Sequence, residues 1–427
     1  MNKVIVIGAG PAGLIAGWVA AKNGLDVTII EKNDRPARKL MITGKGRCNV
    51  TNNADVSECV KNTPTNGRFL YSAFSNFSPR DIMDLLEKCG VPLKIERGNR
   101  VFPVSDKAVS IVDALVNNAK QSGCKIIKGR AVDIVIKNNY IESVLLEDGE
   151  KIDCDAVVLA TGGISYPLTG STGDGYELAK KAGHTITPLK PSLVGLEIHE
   201  GFICKLEGLS LRNIAVKICD TKTDKIIYSD FGEMLFTGTG ISGPVILSAS
   251  AHINKMEKGR YKITIDLKPA LCEKTLETRV LKDFLENQNK DYINSLSGLL
   301  PNKLIPVFAK RTGIPPNIKV NQITKEQRQK IISILKCFDL TITSFRPIEE
   351  AVITSGGVCV KEIEPKTMKS KLIDNLYFAG EIIDADAYTG GFNLQIAYST
   401  GYAAGNNIKL KQRKEKRETN ISRMAQK

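Results

Sequence analysis

The sequence predicts a three-layer α/β protein whose mostly parallel sheet is split by an inserted β-barrel-like subdomain and a small helical subdomain. Near the N-terminus, a short apolar run, a glycine-rich turn and a helical period follow one another. The same order recurs near residues 154–184 and 375–405. Between them the pattern turns to short alternating runs and then to a helical period. A chain of 427 residues is also too long for one core.

The first element pair lies in "VIVIGAGPAGLIAGWVAAKNGLDVTIIEKN". The pattern predicts a strand over Val4–Ile7, a helix over Leu14–Asn23 that Gly24 stops, and a strand over Asp26–Ile30. Read alone, the eighteen uncharged residues between Lys3 and Lys22 resemble a leader or a membrane span. Three glycines and a proline at their centre argue against one continuous helix, so we expect a soluble, cytoplasmic protein without membrane partners.

The turn of this unit reads GxGxxG, which in a βαβ context predicts a Rossmann-like dinucleotide site. Gly8 permits the tight turn, Gly10 lets a pyrophosphate approach the backbone, and Gly13 lets the helix pack on the strand. Glu31 ends the second strand, where we expect it to accept hydrogen bonds from a ribose hydroxyl. A glutamate here favours a free ribose, and therefore FAD or NAD over NADP.

Two later segments favour FAD. The strand Ala156–Ala160 runs into Thr161, Gly162 and Gly163, small residues that let the chain close over a dinucleotide. A further strand ends at Gly380 and Glu381, and Gly390-Gly391 leads into a helix from about Asn393. This second helix N-terminus suits a flavin, because negative charge develops at its N1/C2=O edge on reduction.

The loop "KLMITGKGRCNVTNN", Lys39–Asn53, is basic and rich in hydroxyls and amides. We expect Lys45 and Arg47 to supply charge while the loop closes over the pyrophosphate and the ribityl chain. Cys48 is expected near the isoalloxazine, without a partner cysteine for a redox disulfide. Ten scattered cysteines without CxxC or metal spacing indicate reduced thiols and no metal site.

The chain resembles the HI0933-like, or BaiN-like, NAD(P)/FAD-dependent oxidoreductases, which include aminoacetone oxidase-like proteins. The motifs that carry the resemblance span almost the whole chain, and "GKGRCNVTN" with "LYFAGEIIDADAYTGGFNLQIAYSTG" is the specific pair. One departure is Gly238 in "LFTGTGISGP", where family members often carry a histidine.

The resemblance implies a set of FAD contacts contributed by several segments of the chain. They are Gly8, Gly10, Ala12 and Gly13; Glu31 and Lys32; Lys39, Gly46, Arg47 and Cys48; Val132, Ala160, Thr161 and Gly162; and Gly380, Glu381, Asp384, Gly391, Phe392, Asn393 and Leu394. FAD is expected to be bound tightly and non-covalently, with NAD(P)H as a transient reductant.

The predicted division places an FAD-binding domain at 1–190 plus 345–410, a β subdomain at 191–268 plus about 339–350, a helical subdomain at 269–338 and a basic tail at 411–427.

Within the inserted region, Thr221–Asp224 predicts a hairpin turn, and Thr324–Gln327 predicts a capping box. Leu276, Val280, Leu281, Phe284 and Leu285 are expected to line one helix face. The second GxGxxG, Gly238–Gly243, is more readily a glycine-rich turn than an NAD(P)H site, because Pro244 follows at once.

The expected activity is that of an FAD-dependent oxidoreductase acting by hydride transfer at flavin N5 on a small-molecule substrate. One reading is NAD(P)H-dependent reduction of a carbonyl-conjugated C=C, as in a steroid or bile acid. Another is oxidation of an aminoacetone-like amine by O2. Tyr166 and Tyr388 are weak catalytic candidates for proton donation. His184, His199 and His252 are expected to be surface or structural residues.

Charge leaves a different class of function open. The net charge is +14, of which +6 comes from eight Lys/Arg and two Glu in Lys409–Lys427. A solvated tail is the plainer interpretation, and nucleic-acid binding is therefore not favoured. A flavin-binding RNA-modifying protein or a non-enzymatic redox sensor remains as the alternative. The oligomeric state is left open.

Overall fold

The computed structural model describes residues 2–408, and the predicted basic tail lies outside them. Two compact units divide the chain. Within the described residues, the first comprises 2–190 with 353–408, and the second comprises 191–352. The predicted division lets the two domains overlap over 345–350, whereas the structure places the change at 352/353. The strand Phe338–Phe345 and the residues that follow it up to Val352 lie in the second unit.

The strands are β1 Lys3–Ile7, β2 Asp26–Glu31, β3 Thr51–Asn52, β4 Leu93–Glu96, β5 Arg100–Pro103, β6 Lys125–Lys128, β7 Ala131–Lys137, β8 Tyr140–Leu146, β9 Lys151–Asp153, β10 Ala156–Leu159, β11 Lys190–Ser192, β12 Leu196–Ile198, β13 Ser210–Asp220, β14 Lys225–Phe236, β15 Gly240–Ser242, β16 Tyr261–Asp266, β17 Phe338–Phe345, β18 Ile353–Ser355 and β19 Leu376–Phe378. The α-helices are α1 Pro11–Lys22, α2 Arg38–Ile42, α3 Val56–Lys61, α4 Tyr71–Asn76, α5 Pro79–Lys88, α6 Ala108–Gln121, α7 Asp174–Lys181, α8 Pro244–Ser250, α9 Glu273–Glu286, α10 Tyr292–Ser295, α11 Ile305–Thr312, α12 Lys325–Lys336 and α13 Phe392–Asn406.

The first unit is built on a parallel five-stranded sheet in the order β19-β10-β1-β2-β6. β1 lies at its centre and pairs with β2 and β10, with Ile7 opposite Ile30 and Leu159. β1 and β10 are apolar because both of their faces are covered, as parallel sheets require. The predicted Rossmann-like sheet is confirmed. The first helix begins at Pro11 and not at Leu14, since proline at the first turn costs no hydrogen bond.

Helix α13 lies directly against α1. A Cβ at Gly401 would overlap the Ala12 carbonyl, and one at Gly405 would overlap the Ala16 carbonyl. The two helices therefore run in the same direction with their backbones in contact. Because Ala12 is in the first turn of α1 while Gly401 is deep in α13, the N-terminus of α13 extends about 12 Å further along the helix direction. Both helix N-termini thus face the same way at different depths.

The second unit contains a closed barrel of six antiparallel strands in the order β12-β15-β14-β13-β16-β17. β13 and β14 form the predicted hairpin around Thr221–Asp224, with Asp220 opposite Lys225. The second GxGxxG spans β15, which pairs antiparallel with β12 and β14. An antiparallel barrel strand followed by the seven-residue α8 is not a βαβ unit, so this segment is a turn and strand of the barrel.

The helical segment of the second unit follows β16. The predicted capping box is confirmed, with Thr324 and Gln327 exchanging side-chain and backbone hydrogen bonds at the start of α12. On α9, Leu276, Val280 and Phe284 are buried as predicted. Leu281 and Leu285 were wrongly placed on the buried face, and Leu285 is 66% exposed. Each residue turns the helix by 100°, so positions 281 and 285 are rotated by 100° from 280 and 284 and lie outside the buried stripe.

Candidate functional site

The glycine-rich turn and Glu31 form one side of the site. The Gly8 amide donates to the Ile30 carbonyl, which ties the turn to the end of β2. Glu31 is buried, and its Oε2 accepts from the Ala9 amide at 2.9 Å. The acid at the end of β2 therefore faces back onto the turn, as the predicted ribose contact requires.

The turn itself fits a pyrophosphate. A Cβ at Gly13 would overlap the Gly8 carbonyl, whereas one at Gly10 would meet no atom within 4 Å. Gly13 is thus needed for packing, and Gly10 leaves open space at the start of α1. Gly10 caps that helix without a side-chain hydrogen bond, and no acidic residue lies in its first turn. The first-turn amides are therefore suited to an anion.

The basic loop near residue 47 lies against the start of α13, which follows it by more than 300 residues. Asn52 Nδ2 donates to the Gly390 carbonyl at 3.1 Å, and Thr51 Oγ1 donates to Gln395 Oε1 at 2.7 Å. A Cβ at Gly391 would overlap the Thr51 backbone. The family's two specific motifs are thus one structural unit, in which the loop closes against a helix N-terminus with no side-chain cap.

Lys39 and Glu381 join three segments of the first unit. Lys39 Nζ lies 2.7 Å from Glu381 Oε2, and their side chains are 22% and 12% exposed. Ser165 Oγ and the Thr354 amide both donate to Glu381 Oε1, at 3.0 and 2.9 Å. Lys39 also donates to Ser165 Oγ at 2.7 Å. This network fixes the loop after β10, the basic loop and the segment after β19 together.

Arg47 differs from the expectation that it supplies free positive charge. Its guanidinium pairs with Glu96 and with Asp106, and it stacks 4.2 Å from the centre of the Phe102 ring. These carboxylates raise the pKa of Arg47 above its usual value. A guanidinium neutralised by two carboxylates anchors its loop to β4 and β5, and Lys45 is the exposed cation of the loop.

Cys48 is fully buried, and burial raises the pKa of its thiol to about 12. Lys45, which lies between Gly44 and Gly46, has a positive φ of 58°, and Cys48, two residues after Gly46, has a positive φ of 61°. Gly44 and Gly46 have positive φ as well. Left-handed residues outside glycine are costly and concentrate at functional sites. Cys48 therefore serves as a buried neutral group that fixes the turn, and not as a thiolate.

The remaining predicted residues take different positions. Ala160 and Thr161 follow β10, and Thr161 Oγ1 is buried without a hydrogen-bond partner among residues 2–408. Val132 on β7 is 44% exposed, and Lys32 pairs with Asp174 at 2.8 Å. Burial, reinforced by Asp386 and opposed by a hydrogen bond from Thr187, raises the pKa of Asp384. Gly380, Phe392, Asn393 and Leu394 lie with Gly391 at the start of α13 or just after β19.

The tyrosine candidates are both half-buried. Tyr166 has φ of 53°, at the start of a short turn after β10. The Tyr388 amide donates to the Asn62 carbonyl, and this bond holds the Tyr388 backbone between Asp384 and α13.

Two further positions from the sequence analysis lie elsewhere in the chain. Gly238 stands at the position of the family histidine. A Cβ added there would lie 3.3 Å from Glu207 Oε2. The buried His184 ring bonds Glu362 and Ser370, which is a structural arrangement.

Sequence reasoning missed Asn33, Ser165, Thr354 and Gln395. Each is a polar residue whose role depends on a partner far along the chain, or on a side-chain direction that no spacing encodes. Asn33 alone carried a local signal, because it lies two positions after Glu31.

Within residues 2–408 no cluster of three or more His, Cys, Asp or Glu has the arrangement to hold a metal ion. No helix in this range has the length and apolar character to cross a bilayer.

The donor set fits a two-ended cofactor. Open space at Gly10, a buried acid at the ribose position and a second uncapped helix N-terminus further along the same direction suit FAD. Fold and site together define a Rossmann-type FAD-dependent oxidoreductase. The HI0933-like protein Rossmann domain matches residues 2–407, and the chain belongs to this family.

Two curated relatives illustrate matches that cover nearly the full length of the chain. A 3-dehydro-bile acid delta(4,6)-reductase of Clostridium scindens is 32% identical over 95% of this chain and 98% of its own. A ribosomal RNA dihydrouridine synthase of Escherichia coli is 29% identical over 95% of this chain and 97% of its own. Among solved structures, a flavocytochrome c3 fumarate reductase shares the fold with a TM-score of 0.50 at 18% identity, covering 95% of this chain and 78% of that one.

Proposed function

We propose that this protein uses FAD to reduce a C=C bond conjugated to a carbonyl. The observation that carries the proposal is that the two relatives described above, each matched over nearly its full length, are named for activities on such a bond. A delta(4,6) double bond in a 3-oxo bile acid is conjugated to the ketone, and the bond saturated in dihydrouridine is conjugated to a ring carbonyl. When bound, FAD supplies hydride transfer at N5.

The chain's own residues bind and position the cofactor in this proposal. The first turn of α1 receives the pyrophosphate and Glu31 accepts from the adenosyl ribose. The start of α13 would hold the pyrimidine edge of the flavin ring, where its backbone amides would favour negative charge. Tyr166 and Tyr388 are the residues we propose as proton donors to the carbon next to the carbonyl. NAD(P)H is the proposed electron source.

A ribosomal RNA uridine is a second candidate substrate, favoured by the net charge of +14 together with the dihydrouridine synthase relative. Excess positive charge attracts a phosphate backbone, and the attraction weakens as salt rises. A bile acid or other small enone needs no such charge. Both candidate substrates would undergo reduction of a C=C bond conjugated to a carbonyl, and they differ in how the protein would bind them.

An anaerobic titration tests the proposal. The flavin absorbance of the purified protein is followed with NADH and NADPH, and the reduced protein is then mixed with a steroid 4-en-3-one or with ribosomal RNA lacking dihydrouridine. Reoxidation by either acceptor, with a two-hydrogen gain in product mass, supports C=C reduction and identifies the substrate class. Bleaching by aminoacetone, followed by reoxidation only by O2, would contradict it in favour of an amine oxidase.

A further inference from the structure

The carboxylate of Glu31 is held by a residue two positions further along the chain. Its Oε1 accepts from the Asn33 amide at 2.9 Å and from Asn33 Nδ2 at 2.7 Å. Its Oε2 accepts from Ala9. Three donors in different directions fix both oxygens in place. Each carboxylate oxygen accepts more than one hydrogen bond, so capacity remains for ribose hydroxyls.

The same amide of Asn33 reaches the loop that follows β10. Its Nδ2 donates to the Thr169 carbonyl at 3.2 Å, and a Cβ at Gly170 would overlap that nitrogen. Arg38 Nη1 donates to Asn33 Oδ1 at 3.3 Å, which orients the amide with its nitrogen toward Glu31. One side chain therefore connects the acid at the end of β2 with the loop of residues 163–173.

Lys32, the neighbour that was expected to contact the cofactor, does not have this position. Its ammonium pairs with Asp174 and also contacts Thr172. Arg130 pairs with the other Asp174 oxygen at 3.0 Å. Burial raises the pKa of Asp174, but the hydrogen bonds from Arg130 and Lys32 outweigh it and hold that pKa below its usual value. Lys32 thus secures α7, whereas the Asn33 side chain donates a hydrogen bond to Glu31.

We propose that Asn33 is a positioning residue for the adenosyl ribose of FAD, which holds the Glu31 carboxylate as an acceptor and ties the 163–173 loop beside it. The inference rests on the proposed function only in requiring that this site binds FAD. It also defines the ligand class, a dinucleotide with free ribose hydroxyls. A 2′-phosphate would meet a buried carboxylate held in a fixed orientation.

The test is a double-mutant cycle on FAD affinity, read from flavin fluorescence as FAD is titrated into apoprotein. Wild type is compared with Asn33→Ala, Glu31→Ala and the double variant. Because the lost hydrogen bond is to a charged group, Asn33→Ala is expected to weaken FAD binding about tenfold. In the Glu31→Ala background the same change is expected to weaken binding less than about twofold, since Asn33 acts through Glu31. Asn117→Ala, at an exposed position on α6, is the matched control.

The isosteric Asn33→Asp places a second carboxylate against Glu31 and is expected to weaken binding more than alanine does. It keeps the test decisive should the alanine variant fail to fold. Wild-type affinity in both Asn33 variants, or equal losses in the two Glu31 backgrounds, would overturn the inference while leaving the proposed function intact. Wild-type apoprotein that takes up no FAD would overturn both.

Discussion

Lys39 Nζ and Glu381 Oε2 lie 2.7 Å apart, although 342 positions separate the two residues in sequence. The contact brings the basic loop after β2 to the segment after β19. Glu381 is thereby surrounded by donors from Lys39, Ser165 and the Thr354 backbone. A carboxylate buried to this degree depends on its donors, and this dependence makes the contact testable.

Replacing Lys39 by methionine should destabilise the fold. The change leaves the Glu381 carboxylate without its cation, and breaking a largely buried pair costs about 2–3 kcal/mol after allowance for the exposure of Lys39. Urea denaturation of the apoprotein measures the loss. Lys61→Met, which breaks an exposed pair with Glu58, is the matched control and should cost less than about 0.5 kcal/mol. Equal effects of the two variants would contradict the argument.

Gly391→Ala should damage the junction between the basic loop and α13. Gly391 has φ of 102°, and a Cβ there would also overlap the Thr51 backbone. Gly123 has nearly the same φ, 100°, with no atom within 4 Å of an added Cβ, so Gly123→Ala isolates the backbone strain at about 1–2 kcal/mol. We expect Gly391→Ala to exceed this control by about 1–3 kcal/mol and to weaken FAD uptake. Thermal or chemical unfolding of both variants decides the point, and similar losses would refute the steric account.

Thiol reactivity should follow burial and local hydrogen bonding. Burial raises the pKa of Cys48 to about 12, whereas hydrogen bonds from Thr275 and nearby amides lower the pKa of the exposed Cys272. Because the thiolate is the reactive form, iodoacetamide at neutral pH should modify Cys272 early and Cys48 only on unfolding. Peptide mass spectrometry over time measures the order. Early labelling of Cys48 in the folded protein would show that its loop opens.

Stability should fall as the pH decreases through the range of histidine. Burial lowers the pKa of His184 below its ordinary 6.5, and the opposing effect of Glu362 does not offset it. The unfolded chain then binds the proton first, so this contribution is present above about pH 6.5 and is lost as the pH falls toward the folded pKa. The slope reaches at most about 1.4 kcal/mol per pH unit for one proton.

Urea denaturation between pH 5 and 7.5 measures this slope. His184→Gln should remove the His184 contribution to the slope, whatever its effect on stability at pH 7.5. His252, whose pKa burial also lowers, should contribute in the same direction, so His252→Gln provides a parallel comparison. An unchanged slope in the His184 variant would contradict the expectation.

The sequence alone determined the parallel sheet, the glycine turn and Glu31. These features depend on residues close along the chain, where apolar runs and glycine spacing encode backbone geometry directly. The hairpin at Thr221–Asp224 and the capping box at Thr324 were predictable for the same reason. The family motifs indicated that residues near 47 and 391 belong to one site.

Only the tertiary structure decided which charges are available at that site. Arg47 and Lys32 carry the expected positive charge, but carboxylates distant in sequence neutralise them. Glu96 and Asp106 lie 49 and 59 positions from Arg47, and Asp174 lies 142 positions from Lys32. The Asn33 side chain likewise bonds the Thr169 carbonyl, 136 positions away. Side-chain partners at such separations depend on how the elements pack, and local spacing does not encode that packing.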